Sequence, residues 1–318
     1  MKFFITGGSG FLGSCTVRKL VQNGHSIKIF DDMSRGSIKK IEDLKNKIQI
    51  VNGDIRDENL LLKSSKGYDY FIHMAAINGT TFFYSKPQDV LDVSVRGILN
   101  AVEVSKQNKI RKFIFASSSE VYQQPKKIPT SENVPLIIPD VFNPRYSYGG
   151  GKIISELICL NYYKKFFEKM IIFRPHNVYG PDMGFEHVIP ELIFKALEVK
   201  NGRSEKIILK GNGSQRRTFI FINDFTNALN KVITNGINRS IYHIGNTDEI
   251  TVIELLKKIL RIMEVKCDIE YSNSPVGETT RRCPDNKKIV DLGYVQNFSI
   301  ENGLKKTVEW YERFYNNA

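Results

Sequence analysis

The sequence predicts an α/β protein, a doubly wound parallel sheet followed by a smaller α/β region. Three observations carry this expectation. Short apolar runs alternate with segments of helical periodicity through the first half of the chain. A glycine-rich turn follows the first apolar run directly and opens a helix-period segment. After Arg174 the alternation gives way to a looser succession of loops, short strands and helices.

Each element follows from its local pattern. Strands are expected at residues 2–6, 26–30, 48–52, 68–73, 111–117 and 170–174, where short apolar runs recur. Between them, helical periodicity appears over 11–23, 89–107 and 149–168. Residues 176–184 read as a loop and 188–199 as a helix. Strands at 206–209 and 218–222 and a helix at 224–234 come next. Residues 240–245 read as one more strand, returning to the main sheet, and helices at 251–263 and 299–315 follow. The expected organisation is a domain over 1–176, completed by the return strand, and a region over 177–318 that folds over the carboxyl ends of the strands.

Composition narrows the class. The chain has 318 residues, 41% hydrophobic and 25% charged, so it can bury a large core and is not a disordered segment. Its net charge is +12, but paired lysines such as Lys39 and Lys40, or Lys257 and Lys258, are scattered and form no stripe. That argues against a nucleic-acid surface and leaves a solvated basic exterior with cations to spare for an anionic small molecule. The four cysteines, Cys15, Cys159, Cys267 and Cys283, show neither CxxC nor Cys/His ligand spacing. Neither a disulfide framework nor a metal site is expected. With no secretory h-region and no bilayer-length apolar stretch, the expectation is a cytoplasmic protein without a membrane partner.

The first functional motif is residues 3–13, FFITGGSGFLG, a strand running into a glycine turn and then a helix. Gly7 permits the tight turn, Gly10 lets backbone approach a pyrophosphate, and Gly13 allows close helix–strand packing. Free N–H groups at the helix start, around Phe11 and Leu12, face the phosphates. The sheet expected is therefore of Rossmann type. The next strand ends at Asp31, an acid that accepts from the adenosine ribose and repels a 2′-phosphate, so NAD is favoured over NADP. Arg35 keeps NADP open. Asp54, beside Ile55 after the third strand, is either a contact for the adenine amino group or a turn acid.

The second motif is Tyr148 and Lys152, spaced i, i+4 and so on one helix face. A phenol needs help to act as a base near neutral pH, and both a neighbouring ammonium and a positive nicotinamide ring favour the phenolate. The preceding strand ends in Ser117, Ser118, Ser119, Glu120, Val121 and Tyr122, which offers a hydroxyl for the same substrate oxygen.

With these residues in place the chain resembles the extended short-chain dehydrogenases, the NDP-sugar epimerase/dehydratase family, over essentially its whole length. The marks are TGGSGFLG, Asp31, HMAA at 73–76, SSSEVY, YGGGK, RPHNVYGP, GNGSQRRTFIFIND and RRCPD. The resemblance implies Ser118 as hydroxyl partner, Tyr148 as acid/base, and Lys152 as the ribose ligand that lowers the tyrosine pKa. It implies Ala75, Ala76 and Pro175 against the cofactor, Asn177 at the sugar or its phosphate, and Arg217 with Arg282 as the diphosphate clamp. Val188 would border the nucleotide base, while Asn78, Thr80 and Ser119 would border the sugar. The sequence departs from the family at 149–151, all glycine where Ala and Ser are usual. That weakens the helix start, loosening the tyrosine or leaving room for a bulky group. Ser94 also stands where relatives commonly carry Asn.

The resemblance implies oxidation of a nucleotide-linked sugar at C4, with several outcomes open: 4-epimerase first, then decarboxylase or 4,6-dehydratase, then net 4-dehydrogenase. Glu120 is the carboxylate that dehydratases and decarboxylases place before Val-Tyr, but Ser119 stands where dehydratases carry Asp. A non-catalytic NAD-binding protein is the remote alternative. The family pairs the helices at 89–107 and 149–168 between subunits, so a homodimer is expected, through residues such as Val93, Ile98, Val102, Ile153, Leu157 and Leu160.

Overall fold

The computed structural model describes residues 1–273 and 280–316. The run Phe3, Phe4 and Ile5 explains its centre, because all three are buried and successive side chains point to opposite faces. Phe3 and Ile5 join one apolar cluster and Phe4 the other, so strand β1 (Lys2–Thr6) is covered on both sides. The other strands of the main sheet are β2 (Ser26–Asp31), β3 (Ile48–Asn52), β4 (Tyr70–His73), β5 (Lys112–Ala116), β6 (Lys169–Pro175) and β11 (Ser240–Ile244). Their order is β11-β6-β5-β4-β1-β2-β3, every neighbouring pair parallel. This is the Rossmann-type sheet the sequence predicts. The strand order reverses between β1 and β4, and a crevice opens at their carboxyl ends.

One face is covered by α1 (Phe11–Gln22) and α7 (Ile222–Asn235), through Val17, Leu20, Phe225 and Leu229. The other is covered by α2 (Glu58–Ser64), α4 (Pro87–Gln107) and α5 (Ser147–Asn161), through Leu61, Ile98, Val102 and Ile158. A short helix, α3 (Thr80–Ser85), forms in the aromatic stretch before α4. The later segments comprise β7 (Val178–Tyr179), α6 (Val188–Lys200), β8 (Lys206–Lys210), β9 (Arg216–Thr218) and β10 (Ile220–Phe221). They continue with β12 (Glu249–Thr251), α8 (Val252–Met263), β13 (Asp268–Ser272), β14 (Arg281–Arg282), α9 (Lys287–Asp291) and α10 (Ile300–Asn316). Helix α8 starts on a capping box between Thr251 and Glu254.

Two expected boundaries move for physical reasons. The helix expected to reach residue 168 ends at Asn161, where Tyr162 turns extended and Tyr163 takes φ +50°. Phe167 is nonetheless buried against Phe113, so its apolar signal comes from loop packing, not a helix face. The strand expected over 218–222 is divided: β9 pairs with β12 and β14, β10 pairs with β7, and α7 begins at Ile222.

Candidate active site

The glycine turn is built as its spacing demands. Gly7 lies at φ +71°, and a Cβ there would stand 2.6 Å from the Ala75 nitrogen. A Cβ on Gly13 would stand 2.0 Å from the Gly7 carbonyl oxygen. Gly10 differs, since its Cβ position faces open space apart from the Gly7 oxygen at 3.5 Å. No side chain caps α1 at Gly10, so its first N–H groups stand where an anion is best received. Gly7, Gly10, Phe11, Leu12 and Gly13 all line one large cleft of about 930 Å³.

Asp31 is buried at the end of β2 and accepts from the Ser9 and Met33 backbone N–H groups at 2.9 and 3.0 Å, which fixes its carboxylate at the cleft wall. Asp54 is gripped by the Arg56 guanidinium, whose hydrogen bonds hold its carboxyl below the usual range. Ile55, Ala75, Ala76 and Pro175 complete this side of the cleft.

The next group gathers around the carboxyl end of β5. The Lys152 ammonium is buried and donates to the Ala116 carbonyl at 2.8 Å. Burial brings its pKa down to about 8, with the Glu156 charge opposing the shift. Tyr148 is buried under the Phe83 ring, which stacks on it at 5.1 Å, and the Ser118 hydroxyl lies on the same cleft wall. The expected lowering of the tyrosine by Lys152 is not what the protein's own groups produce. Burial raises Tyr148, the Ser118 hydroxyl opposes it, and the Glu120 charge adds to the rise. The Lys152 ammonium points to the Ala116 carbonyl, 5.7 Å from the phenol ring centre. Positive charge from a nicotinamide ring would act in the lowering direction.

Ser118, Ser119 and Glu120 form a tight turn in which the Ser118 hydroxyl accepts from the Glu120 N–H at 3.1 Å. The Glu120 carboxylate is bound by Arg282 at 2.5 Å. Burial pushes Glu120 upward, but the charges of Arg282, Arg145 and Arg217 outweigh it and hold the acid below its ordinary value. Arg282 and Arg217 are register partners on β14 and β9. The Asn177 amide donates to the Thr218 carbonyl at 2.8 Å and ties the 175–177 turn to that same strand. Asn78, Thr80, Asn177, Val188, Arg217 and Arg282 all border the same cleft.

Every cofactor, catalytic and substrate residue named as a candidate from the sequence therefore lines one cavity. Arg145, which sequence reasoning missed, meets them there too. Its signal was the spacing to Tyr148, three positions on, at the junction of a one-turn 3₁₀ helix with α5.

A family model described as the NAD dependent epimerase/dehydratase family matches residues 3–245. The chain belongs to this family. It is 30% identical, over 98% of both chains, to a UDP-N-acetyl-alpha-D-glucosaminuronate decarboxylase of Bacillus cytotoxicus. It is 32% identical, over 96% of this chain and 97% of the other, to a putative UDP-glucose 4-epimerase of Methanocaldococcus jannaschii. The dTDP-glucose 4,6-dehydratase DesIV of Streptomyces venezuelae, solved with NAD and TYD bound, superposes with a TM-score of 0.89 at 25% identity, covering 99% of this chain and 98% of that one.

This epimerase/dehydratase is thus an NAD-dependent enzyme, and its cleft suits the cofactor. The uncapped α1 terminus and the open space at Gly10 leave room for a pyrophosphate, and the Asp31 carboxylate at the cleft wall is an acceptor that a ribose hydroxyl would fit. Among the described residues no cluster of His, Cys, Asp and Glu could hold a metal ion, and no helix is long and apolar enough to cross a membrane.

Proposed function

We propose that this enzyme oxidises an NDP-sugar at C4 and returns the hydride to the opposite face, acting as a 4-epimerase. The observation that carries the choice is Ser119, a hydroxyl and not a carboxylic acid beside the Glu120–Arg282 ion pair. Elimination across C5 and C6 needs a base at C5 and an acid for the leaving hydroxyl. Here arginines hold Glu120 ionised, as a C5 base would need, but Ser119 beside it supplies no carboxylic acid for the leaving hydroxyl. That favours chemistry confined to C4.

In this reading Tyr148 takes the proton from the C4 hydroxyl and gives it back, while Ser118 orients the same oxygen. Lys152 holds the cofactor ribose, and Asp31 the adenosine ribose, as Gly7, Gly10 and Gly13 bring backbone to the pyrophosphate. NAD⁺, when bound, would supply a reversible hydride acceptor. Arg217 and Arg282 grip the sugar diphosphate bidentately. Asn78, Thr80, Ser119 and Asn177 flank the sugar, and Val188 borders the base.

A second reading, decarboxylation of a C5 carboxylate after C4 oxidation, is favoured by Arg145, a third guanidinium whose charge reaches Glu120. Product mass separates the two. With a panel of UDP-, GDP-, dTDP- and CDP-sugars, an isobaric product supports the epimerase, and loss of carbon dioxide from a uronic acid supports the decarboxylase. Loss of water, or of two hydrogens with NADH accumulating, would overturn both. A cytoplasmic homodimer fits the same reading. Val93, Ile98 and Val102 are buried against the sheet, but Leu91, Ile154 and Leu157 stay exposed on α4 and α5.

A further inference from the structure

The glycine run at 149–151 was expected to weaken the start of α5, yet the helix runs straight through it and all three glycines are buried. Their neighbours explain why. A Cβ on Gly149 would stand 2.4 Å from Gln123 Nε2 and 3.0 Å from the Glu120 carbonyl oxygen, and one on Gly151 would stand 2.7 Å from the Ser94 Cβ. The room at Gly149 is thus filled by a side-chain amide from the catalytic turn.

Gln123 is itself out of place by backbone standards. It lies at φ +51°, ψ −98°, a region that suits glycine and strains a residue bearing a Cβ. Its side chain is buried and donates from Nε2 to the Glu120 carbonyl oxygen at 2.7 Å. Glu120 is therefore fixed at three points: its N–H by Ser118, its carbonyl by Gln123, its carboxylate by Arg282.

We propose that Gln123 is a positioning residue for the Ser118–Glu120 turn, and that Gly149 is the space its amide requires. The strained backbone is retained because the amide holds the turn against α5, one residue from Tyr148. This rests on reading Ser118 and Glu120 as site groups, and it adds a residue that touches neither sugar nor cofactor.

The test is a double-mutant cycle on the NAD-loaded enzyme, with UDP-glucose, UDP-N-acetylglucosamine and dTDP-glucose offered as substrates. Gln123→Gly relaxes the backbone and removes the amide. We expect an unchanged or raised melting temperature, unchanged NAD content, and kcat lowered roughly 10- to 100-fold with KM within about threefold, as for a displaced catalytic group. Gly149→Ala is expected to lower both melting temperature and kcat. The double variant should regain the melting temperature while kcat stays at the Gln123→Gly level. A Gln123→Gly enzyme with wild-type kcat overturns the proposal, as does a Gly149→Ala penalty equally large without Gln123. Ser118→Ala is measured alongside: wild-type turnover there would refute the role of Ser118, whereas a slow Ser118→Ala beside a fast Gln123→Gly refutes the positioning role alone.

Discussion

Arg282 and Glu120, 162 positions apart in sequence, meet at 2.5 Å, and the same arginine pairs in register with Arg217 on the neighbouring strand. The proposed diphosphate clamp and the acid beside the catalytic hydroxyls are therefore one connected unit. A diphosphate bound at the proposed clamp would compete with Glu120 for the Arg282 guanidinium.

This coupling has a pH signature. Glu120 is held below its ordinary value because arginine charges outweigh the effect of burial. A depressed acid stays ionised as pH falls until its own low value is reached. In Arg282→Gln the burial effect remains and the largest opposing charge is lost, so the Glu120 pKa rises. The acid limb of the kcat/KM profile should move to higher pH, and KM for the NDP-sugar should rise more than tenfold. An unmoved acid limb would break the link between the two residues.

Lys152 sets function against stability. Its folded-state value is about 8, while an ordinary lysine titrates at 10.5. Between those limits the unfolded chain binds a proton that the folded protein releases, so this group's contribution to stability rises with pH across the window. Below about 8 the folded protein carries the full cost of a buried ammonium. Lys152→Met should therefore gain about 2 kcal/mol at pH 7, after the lost bond to Ala116 is counted, and the gain should fade toward pH 10.5. Turnover should nevertheless collapse. Thermal melts across pH decide it.

Asp31 should decide the cofactor. Asp31→Asn keeps the side-chain shape but removes the charge, and its amide oxygen can accept from only one of the Ser9 and Met33 N–H groups. NAD affinity should fall roughly tenfold while NADP affinity rises, since the charge no longer repels a 2′-phosphate. Titrating both nucleotides into stripped protein measures the ratio.

Assembly is tested at Leu157, which is 57% exposed on α5 with Ile154 one turn away. Leu157→Asp should convert a dimer to a monomer in sedimentation, because a charge in a desolvated interface is unpaired, and should lower the melting temperature only by what the partner contributes.

Much of this was legible in the sequence where function and local geometry coincide. Gly7, Gly10 and Gly13 give a turn readable from spacing alone, and Tyr148 and Lys152 share a helix face for the same reason. The strands of the main sheet read directly because apolar runs with covered faces leave no alternative. What escaped depends on distant partners. Arg145 gains meaning only from Glu120, and the glycines at 149–151 only from Gln123 and Ser94. For Tyr148, i, i+4 spacing does not say where an ammonium points: here it points to Ala116, and the nicotinamide charge that would also favour the phenolate comes with the cofactor.

The central claim, reversible C4 oxidation with Tyr148 as acid/base, is tested most directly with NDP-hexoses deuterated at C4. The account predicts an isobaric product that keeps its deuterium at C4 in ordinary water. It also predicts a primary isotope effect on the chemical step, and loss of about 10²- to 10⁴-fold in rate in Tyr148→Phe with NAD still bound. Deuterium lost to solvent, or a Tyr148→Phe enzyme that turns over normally, would contradict it.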